Sequence, residues 1–315
     1  MIPDLPFITA ADLGDDDGFE VTWIVWAIVA LGSITELVAK IKAGKTTFIL
    51  ALCAAVLAGA DFLGKPTTKR QVVYLTEQSG ASFRAQLSKA GLLGNPEFII
   101  LQWNRVAGIP WETVAKAALK KAHLKQDALL IIDTLRQFAG LQGDSENSSG
   151  EALKSMKDLQ YGAGVIGLPI LVAHHERKSG GDVSDAGRGS SAMGGTVDTI
   201  LALRRPKGNP RPNVRVLEGV SRFDDVPPEL FIEFTEDGYR ALGDSRDFTK
   251  QQVHEYLLAN TPDNPDDAMT IEELTNNSGF KRTTIQAAVN ELVAQGRLRR
   301  IGEGKRGDAY RFYLA

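Results

Sequence analysis

The sequence predicts an α/β protein, built on a mostly parallel β-sheet with helices on both faces and followed by a small C-terminal unit. Three observations predict this class. Short apolar runs, often β-branched, alternate with runs of helical length through most of the chain. Strands separated by helices favour a parallel sheet covered on both faces. After Arg205 the helical runs stop, and 315 residues exceed the roughly 150 typical of one domain.

The predicted elements alternate along the chain. The strand-like runs are Val72–Thr76, Phe98–Gln102, Ala128–Asp133, Ile170–Ala173 and Thr199–Leu203. The helical runs are Thr46–Ala58, Ser82–Ala90, Trp111–His123 and Gly150–Tyr161. Val214–Leu217 and Leu230–Thr235 predict added antiparallel strands, with Asp237-Gly238 as a hairpin turn.

The chain divides into four parts by composition. We expect an acidic N-terminal tail over residues 1–19 and a main domain over residues 20–242. Residues 243–249 are interpreted as a linker, and residues 250–315 as a separate C-terminal domain.

Composition excludes several classes of protein. The 36 basic and 39 acidic residues give a net charge of −3, so any nucleic-acid surface must be a local patch. A single cysteine, Cys53, excludes an internal disulfide framework. The uncharged run over residues 21–35 has 15 residues, fewer than the roughly 20 that cross a bilayer. We therefore expect a cytoplasmic protein with no membrane contact.

A phosphate-binding loop is predicted between a strand and a helix. The run Ile34–Val38 leads into Ala39, and Gly44-Lys45-Thr46 opens the apolar helix that follows. Backbone N–H groups over Ala43–Thr47 would bind the phosphates of ATP, Lys45 would pair with the β and γ oxygens, and the Thr46 hydroxyl would reach Mg²⁺. Ala39 stands where this motif has its leading glycine. The plain alternative is a chance Gly-Lys-Thr capping an ordinary helix.

Two carboxylates complete the predicted site. Asp133 ends an apolar strand at the carboxyl edge, where α/β sheets bind ligands, and would hold Mg²⁺. Glu77 closes the strand that we expect beside the strand of the phosphate loop, and would orient and deprotonate the attacking water. Each carboxylate alone is also compatible with a solvated strand end.

A histidine pair follows another strand. One interpretation is that His175 senses the γ-phosphate and transmits its loss to the next loop. The alternative is an ordinary histidine at a strand end whose hydrogen bonds are made within the protein. The sequence after His175-Glu176 lacks the second histidine of a metalloprotease H-E-x-x-H motif.

The C-terminal domain has a helix–turn–helix pattern followed by a hairpin. Capping patterns at Thr270-Ile271-Glu272-Glu273 and Thr283-Thr284-Ile285-Gln286 predict two helix starts. Together with the hairpin that follows, this order resembles a winged helix. Residues 279–315 hold eight basic and three acidic residues, a net +5 that fits DNA. The candidate DNA contacts here are Lys281, Arg282, Thr284, Arg300, Lys305 and Arg306. A protein-docking module remains the alternative.

As a set, these motifs resemble the RecA-type P-loop ATPase core, most closely the RepA-like replicative helicases of plasmids and phages. The matching stretches lie within about residues 20–240: Ala43–Thr47, Glu77, Leu130–Arg136, His174-His175 and Arg188–Ser191. The resemblance implies a homo-oligomeric ring, commonly a hexamer, with ATP bound between subunits. It assigns Lys45, Thr46, Glu77, Asp133 and His175 the roles given above.

The same resemblance implies an arginine supplied in trans to the neighbouring subunit's site. Arg188 is the first candidate for this role, and Arg222 the second. The loop that begins at Lys178 would line the central channel and contact single-stranded DNA.

The expected function is therefore a DNA-dependent ATPase that uses ATP and Mg²⁺. The first interpretation is a ring helicase in the replication or recombination of a phage, plasmid or mobile element. The second is an ATP-switched DNA-binding regulator or loader without unwinding activity. A small-molecule kinase is disfavoured, because it would leave the basic C-terminal segment unexplained.

Overall fold

The computed structural model describes residues 7–11, 20–141, 149–176, 194–206 and 211–315. The chain forms two compact units, Met1–Ala241 and Leu242–Ala315.

Among the described residues, the first unit is built on a nine-stranded sheet. Its strands are β3 Ile34–Ala39, β4 Val72–Thr76, β5 Phe98–Gln102, β6 Leu129–Asp133, β7 Ile170–His175, β8 Thr199–Arg204, β9 Val214–Ser221, β10 Glu229–Thr235 and β11 Gly238–Gly243. Their order in the sheet is β11-β10-β9-β8-β3-β7-β6-β4-β5. The strands from β8 to β5 are parallel, and β9 and β10 are added antiparallel. This is the RecA-like α/β fold that the sequence predicts.

Helices cover both faces of the sheet. They are α1 Lys45–Ala58, α2 Gly80–Lys89, α3 Trp111–His123, α4 Leu135–Ala139 and α5 Ser149–Gly164. Alternate residues of β6 enter two different cores: Leu129 and Ile131 pack with α1 and α2, whereas Leu130 and Ile132 pack with the other three helices. Burial on both faces explains why this strand reads as a continuous apolar run.

The strand order corrects one expectation. Glu77 follows β4, which does not lie beside β3, because β7 and β6 stand between them. The length and composition of an apolar run predict where a strand lies in the chain. They do not indicate which strand lies beside it in the sheet. Glu77 still reaches the same edge, because Thr76 pairs with Asp133 and the parallel strands end together.

The uncharged run over residues 21–35 forms a short hairpin and the start of β3. Its strands, β1 Trp23–Val25 and β2 Val29–Ala30, pair antiparallel. Among the described residues, no helix combines the length and the apolar composition that crossing a membrane requires.

The second unit holds three helices and a three-stranded sheet. Its elements are α6 Ser245–Asn260, β12 Met269–Thr270, α7 Ile271–Asn276, α8 Arg282–Ala294, β13 Leu298–Ile301 and β14 Arg311–Leu314. The helices and sheet enclose a core that includes Val253, Leu274, Val289 and Phe312. The capping box predicted at Thr270 is confirmed, since its side chain and that of Glu273 satisfy each other's backbone N–H groups.

One local expectation in this region is wrong. Helix α8 begins at Arg282 with Lys281 as its N-cap, so Thr283 lies inside the helix and does not cap it. Residues 243–249, interpreted from the sequence as a linker, hold the end of β11 and the first turn of α6. The Asp244 side chain accepts hydrogen bonds from the N–H groups of Arg246 and Asp247, which starts that helix early.

Candidate nucleotide site

The loop between β3 and α1 presents a helix N-terminus at the carboxyl edge of the sheet. Gly44 caps α1 with a φ of 102°, a backbone conformation that favours glycine. Within the described residues, no side chain caps this helix, so its first-turn N–H groups remain available to a ligand. Such a terminus favours anions, because its N–H groups and the N-terminal end of the helix dipole both carry partial positive charge.

Ala39 is compatible with this loop although the motif usually has glycine there. It is the last residue of β3, is fully buried, and pairs with His175 on one side and Leu203 on the other. Its carbonyl accepts a hydrogen bond from the Glu176 N–H at 2.9 Å. Because its backbone is that of an ordinary strand, the methyl group adds no strain.

Lys45, Thr46 and Asp133 converge beside the loop. The Lys45 ammonium is 2.5 Å from Asp133 Oδ1, and the Thr46 hydroxyl donates to Asp133 Oδ2 at 3.1 Å. Tyr74 also donates to Oδ2, at 2.9 Å. Burial and the charge of Asp133 raise the pKa of Tyr74, so its hydroxyl stays protonated and remains a donor. Gln78 donates to the Thr46 hydroxyl at 3.1 Å.

These groups fit Mg²⁺. A hydroxyl and a carboxylate side by side are hard oxygen donors, and Mg²⁺ in nucleotide sites takes one or two protein oxygens together with water and phosphate oxygens. The described residues hold no cluster of three or more acidic, histidine or cysteine side chains that would form an all-protein metal site. Thr46 and Asp133 would hold the ion, which, when bound, neutralises charge on the phosphate oxygens.

Glu77 faces the same edge and is held by three groups. The Thr134 hydroxyl donates to Glu77 Oε2 at 2.6 Å, His175 Nε2 lies 3.7 Å from Oε1, and the Glu77 N–H donates to the Asp133 carbonyl at 2.9 Å. Burial would raise the pKa of the Glu77 carboxyl, but His175, Thr134 and the charge of Lys45 outweigh it and lower that pKa. Glu77 is therefore ionised at neutral pH and able to accept a hydrogen bond from water.

The two histidines of β7 point to opposite faces of the sheet. His175 faces Glu77, whereas His174 Nδ1 is 2.8 Å from the buried carboxylate of Glu36. The geometry thus places His175, the residue assigned from the sequence, next to the site. Its sensing role stays a prediction.

A cavity of about 570 Å³ opens beside the loop along α1. Thr47 in the first turn of α1 lines its near end, and Ala51, Ala54, Phe234 and Tyr239 supply apolar walls. The Tyr239 ring is fixed between Phe48 and Phe234, with ring centroids 5.3 and 4.9 Å away. Its size and aromatic wall suit a nucleoside whose phosphates lie on the loop.

Sequence reasoning missed five residues of this site. Tyr74, Gln78 and Thr134 support the motif residues, and Arg215 and Tyr239 come from the added antiparallel strands. The one available signal was Arg215, a charge inside the otherwise apolar run Val214–Leu217.

Lys178 and Arg188, two of the sequence-predicted residues, lie outside the described residues. A third, Arg222, is not brought to the site. Arg222 is 65% exposed and pairs with Asp198 at 3.2 Å. Asp198 also accepts a hydrogen bond from the N–H of Ile34, the first residue of β3, so Arg222 lies at the edge opposite to the phosphate loop.

The basic residues of the second unit lie at the start of α8 and on the hairpin. Lys281 and Arg282 are exposed at the N-terminus of α8, and Thr284 is half-buried in its first turn. The Arg300 guanidinium stacks on the Tyr310 ring, 4.2 Å from its centroid. Lys305 pairs with Glu303 in the hairpin turn, and Arg306 is exposed beside it.

Comparisons with known proteins find one matching family and a similar fold. A family model described as an AAA domain matches residues 6–181. A KaiC-like protein from the hyperthermophilic archaeon Pyrococcus horikoshii OT3 has a similar structure, with a TM-score of 0.52 at 12% sequence identity. The alignment covers 70% of this chain and 99% of that one. No curated protein sequence matches the chain. The structural likeness bears on the fold alone.

Proposed function

The chain belongs to the AAA domain family, and from that premise we propose that it is a DNA-dependent ATPase of the RepA-like ring-helicase type. The observation that carries the proposal is the convergence of Lys45, Thr46, Asp133 and Glu77 at one sheet edge. A phosphate-binding helix start, a pair of oxygen ligands for Mg²⁺ and an ionised carboxylate are the parts that phosphoryl transfer to water requires.

ATP is the proposed substrate. Its phosphate chain would bind the N–H groups over Ala43–Thr47 and the Lys45 ammonium. Because Lys45 would then pair with phosphate, the Asp133 carboxylate would be available to hold Mg²⁺. The nucleoside would occupy the cavity lined by Tyr239. In the reaction, water attacks the γ-phosphorus, Glu77 takes up the proton, and the bond to the bridging oxygen breaks to release ADP and phosphate. Lys45 stabilises the charge that develops on the transferring group.

DNA is the proposed partner of both units. In the second unit, the order of helices and hairpin supports a winged helix, with the exposed start of α8 as the reading element and the hairpin as the wing. The net charge of +5 over residues 279–315 supplies the phosphate contacts. Single-stranded DNA would bind in the channel of a homo-oligomeric ring, along the loop that begins at Lys178.

Completion of the site by a neighbouring subunit is part of the proposal. Arg222 is exposed and lies at the sheet edge opposite to its own phosphate loop, so in this proposal it would serve the site of a neighbouring subunit. Arg188 is the other candidate for this role. An arginine supplied in trans would couple hydrolysis to contacts between subunits.

ATP hydrolysis measured with and without single-stranded DNA tests the function. We expect DNA to raise the turnover number severalfold at low salt, because the channel loop connects directly to β7 and His175. A strand-displacement assay with the same preparation separates a helicase from a regulator. Hydrolysis at one rate with and without DNA would contradict the DNA-dependent ATPase.

Duplex binding by a Lys281→Ala, Arg282→Ala double variant tests the second unit. Both side chains are exposed at the start of α8, and neither makes a capping hydrogen bond to its backbone, so their removal should leave the fold intact. We expect the logarithm of affinity to fall less steeply with the logarithm of salt, by about 0.9 for each lost phosphate contact. A Lys120→Ala, Lys121→Ala variant on α3 controls for charge. If both double variants bind duplex DNA with the same affinity and the same salt dependence, the second unit is a protein-docking module.

A further inference from the structure

Arg215 lies against the last residues of the phosphate loop. It is the second residue of β9, and its Nε donates to the Ala43 carbonyl at 2.5 Å. A Cβ placed on Gly44 would meet the Tyr239 hydroxyl at 3.7 Å and the Nε and Nη2 atoms of Arg215 at 3.9 Å. Arg215 therefore stands where the loop meets the cavity lined by Tyr239.

The guanidinium keeps unused donors on the side of the loop. Its Nη1 donates to the carbonyls of Pro212 and Val214, at 2.6 and 2.7 Å, so its bonded acceptors are all backbone carbonyls. Among the described residues, Arg215 has no carboxylate partner and Nη2 has no acceptor. A guanidinium has five N–H groups, and the two on Nη2 remain for a ligand.

The charge of Arg215 is poorly compensated. Burial and the neighbouring positive charge of Arg205 lower the pKa of the Arg215 guanidinium. A half-buried cation without a counter-ion has lost solvation, and no anion of the described part of the chain restores it. An anion placed beside Nη2 would restore it.

We propose that Arg215 binds the nucleotide's phosphate chain within its own subunit, at the point where the chain leaves the loop for the nucleoside cavity. This deepens the proposed function and rests on it. The loop cradles the outer phosphates and the cavity takes the nucleoside, so the phosphate nearest the ribose passes Gly44 and Arg215. The guanidinium selects a phosphorylated nucleoside over an uncharged one.

Binding of ADP, AMP and adenosine by wild type and Arg215→Met tests the proposal. AMP carries only the phosphate nearest the ribose, so it reports on Arg215 without the outer part of the loop. We expect the affinities for ADP and AMP to fall at least about tenfold, because a charge-assisted hydrogen bond is lost, and the affinity for adenosine to stay unchanged. Arg105→Met, at an exposed arginine after β5, is the matched control.

A second variant separates the charge from the hydrogen bond to the loop. Arg215→Gln keeps an N–H donor for the Ala43 carbonyl and removes the charge, so we expect it to lose AMP affinity as Arg215→Met does. Unchanged AMP affinity in Arg215→Gln, or equal losses for AMP and adenosine, would overturn the proposal. Wild-type protein that binds neither ADP nor ATP would instead refute the proposed function.

Discussion

Lys45→Ala is expected to abolish ATP hydrolysis while the protein stays folded. The Lys45 side chain is 7% exposed and lies at the start of α1, where the transferring phosphoryl group would sit. Groups that stabilise transition-state charge in such sites contribute about 3–4 kcal/mol or more, which corresponds to at least a hundredfold in turnover. The measurement is phosphate release at saturating ATP.

The fold of this variant should survive because Asp133 keeps two partners. Tyr74 and Thr46 still donate to its Oδ2 atom, at 2.9 and 3.1 Å, when Lys45 is removed. Lys120→Ala, at an exposed lysine on α3, controls for the loss of one positive charge. Wild-type turnover by a folded Lys45→Ala preparation would show that the loop is not the site of hydrolysis.

Features encoded locally were predictable from the sequence. The strands β4 and β5 and the helix α3 lie where apolar runs of the matching length predict them. Gly44-Lys45-Thr46 and Asp133 were recognisable because each needs only its own strand, turn or helix start. Parallel strands then bring their carboxyl ends to one edge whatever their order. This is why Glu77 belongs to the site although its strand was misplaced.

Features that depend on distant pairing were not predictable. Arg215 reaches Ala43 across 172 residues of chain, and no spacing in either segment encodes that contact. Tyr239 reaches the loop in the same way, through the order of β8 to β11 in the sheet. Thr134 follows Asp133 directly, yet only the pairing of β4 with β6 shows that its hydroxyl meets Glu77.

The starts of helices were also only partly predictable from the sequence, although they depend on residues close together in the chain. Thr270 and Thr283 both open a capping pattern, and only Thr270 caps a helix. Helix α8 instead begins after Gly279, which adopts a positive φ of 73° and sets the direction of the chain before Lys281. A side chain that can cap does so only where the backbone turns into the helix at that residue.

Glu77→Gln is expected to lower the turnover number by a factor of about 10²–10⁴, the range for loss of a general base. The substitution keeps the shape of the side chain, and the Thr134 hydroxyl can still donate to the amide oxygen. Only the ability to take up a proton is lost. ATP affinity should remain close to that of wild type, because Glu77 bonds to Thr134 and Asp133 and to no residue of the phosphate loop.

The effects of Glu77→Gln and Lys45→Ala can be told apart. Both single-turnover hydrolysis and equilibrium ATP binding are measured on one preparation of each variant. Removal of the lysine should weaken both ATP binding and chemistry, because Lys45 contacts the phosphates before and during the reaction. Removal of the carboxylate should spare binding, because its proton is transferred only in the chemical step. Glu112→Gln, at an exposed glutamate on α3, is the matched control. If Glu77→Gln hydrolyses bound ATP at the wild-type rate, the base lies elsewhere, and the contacts of Thr134 and His175 with Glu77 are structural.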